Sequence, residues 1–112
     1  MTYVVDINDL LDEGELPTED LRLRTNALRF VAFIEYGGTL KPFHGRETLV
    51  QCRRRPRRKQ CLVMMWVVKR SDERIEAYCP DCREVEALIS GWQDTVWADG
   101  IMPPVPMTKK TR

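Results

Sequence analysis

The chain has 112 residues, 18 of them basic and 17 acidic, for a formal net charge of +1. This length suits one domain, with a first half able to supply a modest core and a second half too polar to do so unaided. The N-terminus carries neither a basic leader nor an apolar run of signal-peptide length, and no later segment approaches membrane-spanning length. A secreted or membrane-embedded protein is therefore not expected; a cytoplasmic one with reduced cysteines is.

Charge is segregated along the chain. Residues 1–20 contain seven acids and no base, whereas residues 41–60 contain eight bases against one acid, Glu47. The acidic start either folds over the basic stretch and screens it, or is a solvated surface, the usual fate of a charge run.

In chain order, Asp6 reads as the cap of a short helix that carries Ile7, Leu10 and Leu11 on one side and stops at Gly14. Thr18 caps a longer helix over residues 19–36, with Glu19 and Asp20 in its first turn, where the helix dipole favours acids, and Gly37-Gly38 at its end. Leu21, Ala27, Leu28, Phe30, Val31 and Ile34 recur at helical spacing and predict its buried face. Phe33 and Tyr36 widen that face, which points to packing on two sides or against a second copy. After Pro42 the character changes. Residues 61–68, CLVMMWVV, predict a strand with Trp66 in the core; KRSDER predicts a turn; and residues 75–78, IEAY, predict the second arm of a hairpin. The segment REVEALISGW reads equally as a short helix or a third strand ending at Gly91. The tail holds three prolines and no periodicity, so it is expected to be poorly ordered. The divisions are an acidic and helical region over 1–45, a cysteine-bearing region over 46–97 and a flexible tail over 98–112, in one folded unit.

Four cysteines, Cys52, Cys61, Cys79 and Cys82, flank the hairpin in two pairs. They can form two disulfides or one four-thiolate metal site, and a reducing compartment favours the metal. The order of thiol pair, strand, turn, strand and thiol pair resembles the zinc-ribbon class. In CPDC, two residues between thiolates let one tight turn present Cys79 and Cys82 to one ion. The first pair departs from the ribbon pattern, with eight residues between Cys52 and Cys61 instead of two to four. Arg83 stands where such knuckles commonly have glycine, and a left-handed conformation there costs roughly 1 kcal/mol.

A second resemblance covers about residues 50–97. CRRRPRRKQC, CPDC and ISGWQDTVW together resemble a group of small bacterial proteins that carry an arginine-rich loop between two cysteines, a CPxC pair and an ISGW-x-x-T-x-W segment. The resemblance implies a metal-ribbon architecture and no activity; the four cysteines are expected to hold one zinc ion per chain.

Between Cys52 and Cys61 stand Arg53, Arg54, Arg55, Arg57, Arg58 and Lys59. Four thiolates around Zn²⁺ leave a net charge of −2, which some of these cations can neutralise. Arginine clusters also supply bidentate phosphate contacts and release counterions from nucleic acid, and Pro56 stiffens the loop for that purpose. Trp92 and Trp97 read either as a lid on a small core or as exposed platforms for bases or a protein partner. CPDC also resembles the dithiol of thioredoxin-like oxidoreductases, with CREVEALIS as the helix that stabilises its first thiolate. His44 can replace a distant cysteine as a ligand, although a lone loop histidine is more often a surface residue. No Ser-His-Asp set, glycine-rich phosphate loop or HExxH motif is present, and a four-thiolate zinc site has no open position for catalysis, so an enzyme is not expected.

The expected fold is α+β, N-terminal helices packed on a small antiparallel zinc-ribbon-like sheet. The expected function is a nucleic-acid-binding, regulatory module. The competing expectation is a small protein-interaction factor, such as an inhibitor, antitoxin or phage-encoded host-control protein, which uses the acidic arm, the aromatic helix or the basic loop. No membrane partner is expected, and the wide helix face allows a homodimer.

Overall fold

A computed structural model describes residues 2–11 and 13–100. The expected disordered tail lies, from residue 101 on, outside the described residues. The architecture is α+β: one α-helix, α1 (Leu21–Gly37), lies on a five-stranded sheet made of β1 (Tyr3–Asp6), β2 (Gly45–Gln51), β3 (Met64–Lys69), β4 (Ile75–Cys79) and β5 (Glu84–Ser90). The strand order is β1-β5-β4-β3-β2. The β2-β3-β4-β5 meander is antiparallel, whereas β1 runs parallel to β5, pairing Tyr3 with Ala87 and Asp6 with Ser90. The sheet is therefore mixed, not purely antiparallel as the sequence suggested. No helix among the described residues is long and apolar enough to cross a membrane.

Only one of the two expected N-terminal helices is an α-helix. The segment after Asp6 forms a single 3-10 turn, Ile7–Leu10, whose Asp6 cap accepts the Asn8 amide at 3.0 Å. Helix nucleation is costly, so four residues following a paired strand do not propagate into an α-helix. Ile7 nevertheless enters the core, and Leu10 and Leu11 pack against it. The turn is tied to the far end of β5 by Asn8 Nδ2, which donates to the Gly91 carbonyl at 2.9 Å. Gly91 is left-handed at φ 73°, and a Cβ there would collide with the Asp6 carboxylate. That position requires glycine on both counts.

The long helix starts two residues later than the sequence suggested, because Asp20 and not Thr18 is its cap, accepting the Leu23 amide at 3.1 Å. Ala27, Phe30, Val31 and Ile34 are buried as expected, and Phe33 and Gly37 join them, while Leu21 and Leu28 face solvent. The buried stripe therefore covers only the last three turns, where the helix meets the sheet. At its end, a Cβ on Gly37 would stand 3.0 Å from Ile75 of β4, so the missing side chain lets the helix approach the sheet closely.

The two sheet faces differ. On β3, Met65, Val67 and Lys69 point under the helix, as do Ile75, Ala77 and Cys79 on β4, and the residues between them are only half-buried. Trp66 stands on the side away from the helix, opposite Tyr78 in register, and is not the core residue its strand position suggested. The ambiguous segment after Arg83 is strand β5. An irregularity between Ala77 and Tyr78 lets two successive β5 residues, Glu86 and Ala87, both be buried.

Candidate metal centre and basic loop

The thiols converge at the end of the sheet where β2 and β4 finish. Cys52 follows β2, its amide donating to the Val63 carbonyl at 2.9 Å, and Cys79 closes β4. Cys82 and Cys79 are brought together by a knuckle in which the Arg83 amide donates to the Cys79 carbonyl at 2.8 Å and the Cys82 amide points at Cys79 Sγ at 3.3 Å. Arg83 takes the left-handed conformation, φ 57°, that the knuckle requires. The eight-residue gap between Cys52 and Cys61 is accommodated by a closed loop: the Cys61 amide donates to the Arg54 carbonyl at 2.9 Å, which returns the chain beside its own start.

All four Sγ atoms lie within 4.8 Å of one another, and none is in a disulfide. Cys52 and Cys82 sulfurs stand 3.9 Å apart and Cys61 and Cys79 sulfurs 3.8 Å apart. A tetrahedral ion with metal–sulfur bonds of about 2.3 Å sets its ligands about 3.8 Å apart, so the cluster has the dimensions of a four-thiolate site. Three of the thiols are buried and Cys82 is half-buried. As free thiols they differ in acidity. Burial raises Cys52, and withdrawal from water together with the sulfurs of Cys61, Cys79 and Cys52 pushes Cys82 up to about 12. Burial also acts upward on Cys79, but the amides of Cys82 and Asp81 and the neighbouring thiols outweigh it and hold Cys79 below its ordinary value. Four sulfurs cannot share so small a volume as anions without a cation to offset them.

His44 does not join the cluster. It immediately precedes Gly45, which pairs with Val68 at the opposite end of β2 from Cys52. The thioredoxin-like arrangement is absent as well: residues 84–90 are a strand, so no helix N-terminus faces Cys79. Trp92 and Trp97 do not form an exposed pair. Trp92 is buried, its Nε1 donating to the Glu73 carbonyl at 2.8 Å, and Trp97 packs half-buried against the core.

The six loop cations divide into two groups. Arg53 reaches Glu86 at 3.6 Å and Asn26 at 3.3 Å, and Arg54 pairs with Glu84 at 2.7 Å. These two arginines hold the loop base against β5 and α1. Arg55, Arg57, Arg58 and Lys59 are exposed at the tip, with no acidic partner among the described residues. The tip is a tight turn: the Arg58 amide donates to the Arg55 carbonyl at 3.0 Å and the Lys59 amide to Pro56 at 3.1 Å. Arg57 and Arg58 are both left-handed, at φ 54° and 69°, an arrangement costing about 1–2 kcal/mol per residue that the closed loop must offset. No ion pair among the described residues joins the acidic first twenty residues to the loop; its partners come from β5.

Two features of the site lie outside the sequence expectations. One is Glu86, buried at the β5 irregularity and gripped by Arg29 at 2.6 and 2.8 Å. The other is β1, which closes the sheet beside β5; the β-branched and aromatic run Tyr3-Val4-Val5 was its available signal. No protein-family model, curated protein or solved structure matches the chain. The fold and site together define an α+β protein with a four-cysteine cluster that can hold a metal ion, placed under an exposed basic loop.

Proposed function

We propose that this protein is a non-enzymatic zinc-ribbon-like module that binds nucleic acid, in a regulatory role, through the tip of the Cys52–Cys61 loop. The observation that carries the reading is the division of the loop cations. Arg55, Arg57, Arg58 and Lys59 are free of acidic partners among the described residues, while Arg53 and Arg54 are tied down below them. Cations that served only to neutralise the cluster would turn inward; this tip faces water. Zinc, held by Cys52, Cys61, Cys79 and Cys82, fixes both ends of the loop and so lowers the ordering cost of binding. Its four thiolates fill the tetrahedron, which makes the ion structural.

The test is a salt titration of binding to single- and double-stranded oligonucleotides by fluorescence anisotropy. Four phosphate contacts give a slope of log affinity against log salt of about −3 to −4. Reversing the tip with Arg57→Glu and Arg58→Glu together is expected to lower affinity at least about a hundredfold, because each substitution removes one contact and adds one repulsion. Unchanged affinity in that variant would refute the reading.

A second reading, a small protein-interaction factor, is favoured by the sheet face away from α1. Trp66, Val68, Tyr78 and Leu88 are half-buried there with no helix over them among the described residues, and Val4 and Leu49 are 68% and 81% exposed. Such a face suits a protein partner or a second copy of the chain. Removing residues 1–20 cannot separate the two readings, since it deletes β1 and the core residue Ile7. Neutralising the exposed Glu13, Glu15 and Glu19 to Gln leaves β1 intact. That triple change strengthens nucleic-acid binding if the acidic arm screens the loop, and weakens association with a protein partner if the arm belongs to an interface.

A further inference from the structure

Cys82 differs from the other three cysteines in what surrounds it. Cys52, Cys61 and Cys79 are 1%, 7% and 0% exposed, whereas Cys82 is half-buried and lines a cleft of about 630 Å³ with Arg54, Arg55, Pro56, Asp81 and Glu84. The cleft is large enough to admit a small molecule to one sulfur of the cluster and not to the others. Two arginines and two acids line it; Arg54 is paired with Glu84 at 2.7 Å, which leaves Arg55 as the guanidinium without an acidic partner among the described residues that can meet negative charge developing on an entering group. The Cys52 sulfur lies 3.9 Å from that of Cys82, across the cluster from the Cys61 and Cys79 pair at 3.8 Å, with all four sulfurs within 4.8 Å of one another. With both sulfurs of the knuckle held as thiolates by the metal, the Cys82 amide directed at the Cys79 sulfur draws electron density from it and makes it the poorer nucleophile of the two.

We propose that Cys82 is an oxidative modification site, at which hydrogen peroxide opens the metal centre by way of a Cys52–Cys82 disulfide. This inference rests on the four-thiolate metal reading. In the first step the Cys82 thiolate attacks one peroxide oxygen: an S–O bond forms, the O–O bond breaks, and the departing hydroxide leaves beside Arg55 and takes a proton from solvent. In the second step the Cys52 thiolate attacks the Cys82 sulfur, the S–S bond forms and the S–O bond breaks, and the second hydroxide is protonated to water. Two thiolates have lost two electrons, and one peroxide has become two waters. The ion retains two of its four ligands and is released. The pairing runs across the two halves of the site, from the end of the β2 segment to the knuckle, and not within CPDC as a thioredoxin-like dithiol would pair. The loop stays attached to the sheet at its first end after the metal has gone.

The experiment uses the full chain loaded with zinc, its metal content measured before any oxidant is added. Hydrogen peroxide is supplied in substoichiometric amounts, zinc release is followed with a chromophoric chelator, and non-reducing peptide mapping is done with and without dimedone to trap sulfenic acid. The expected result is one zinc released per peroxide consumed, dimedone on Cys82, and Cys52–Cys82 as the first disulfide. A loaded chain whose first disulfide is Cys79–Cys82, or whose dimedone label falls on Cys52, Cys61 or Cys79, overturns the assignment and leaves the metal centre standing. A chain that cannot be loaded with zinc overturns the metal reading itself, and this one with it.

Discussion

Glu86 and Arg29 show how much a single pair can matter in a chain of this size. The carboxylate is buried under α1, receives both arms of the Arg29 guanidinium at 2.6 and 2.8 Å, and has Arg53 of the loop base 3.6 Å away. The Arg29 guanidinium also lies 5.4 Å from the Phe33 ring centre, so it is held from two sides. Removing one partner of a buried pair strands the other. Glu86→Ala is therefore expected to destabilise the fold by about 3 kcal/mol in urea unfolding, and a paired Arg29→Met/Glu86→Leu change to recover most of that loss. Lys69 is the second buried charge: its Nζ donates to the Gly38 carbonyl at 2.6 Å and lies 4.4 Å from the Trp92 ring centre. Burial lowers its pKa from 10.5, against a smaller upward pull from Glu73. The folded chain thus sheds this proton before the unfolded chain does, and between the two pKa values the unfolded state binds more protons, so this group's contribution to stability rises with pH through that window. Lys69→Met is expected to cost about 1 kcal/mol at neutral pH by leaving Gly38 without its donor, and to abolish that alkaline rise relative to the native chain. An unchanged pH dependence of Cm would show that Lys69 does not carry it.

At the scale of elements, the structure depends on short segments held at both ends. The knuckle asks a non-glycine residue, Arg83, to sit at φ 57°. Arg83→Gly is expected to raise stability by about 1 kcal/mol, read as a higher Cm at unchanged m, because the substitution removes steric strain and no ion pair of Arg83 is seen among the described residues. This residue was legible in advance, since knuckle geometry and residue type are both local. So were the β3–β4 hairpin, from its apolar runs and polar turn, and the buried stripe of α1. What failed was whatever depended on distant partners. The run Tyr3-Val4-Val5 becomes a strand only because β5, more than eighty residues away, offers it an edge, as the bond from Thr2 to Val85 illustrates. Leu21 and Leu28 fit the helical period, but Leu21 precedes the turns that meet the sheet and Leu28 sits on the side of the helix turned from it, which leaves them 76% and 44% exposed. Trp66 has the composition of core and the position of an outer face, because alternation along β3 assigns it the side opposite Met65 and Val67. Trp92 reads either as a lid on the core or as a surface platform, and the structure has it buried, in the turn after Gly91.

For the whole molecule, the thiols are part of the core as well as a site. Cys52, Cys61 and Cys79 belong to the same buried cluster as Phe33, Met65 and Ile75, and Cys82 packs against it. The α+β class and the convergence of the four cysteines were both readable from the order of segments, but the strand order, with β1 placed beside β5, was not. Because the cluster joins the ends of β2 and β4 to the basic loop, an ion there would tie the sheet, the core and the exposed cations into one unit. Its removal by a chelator is expected to lower Tm by on the order of 10–20 °C. The measurement that tests the central claim most directly is native mass spectrometry of the full chain purified without added metal. The account predicts one zinc per chain and the loss of four protons, giving the mass of four thiolates around one divalent ion. A metal-free chain with four protonated thiols, or one lighter by the hydrogens of two disulfides, would contradict it.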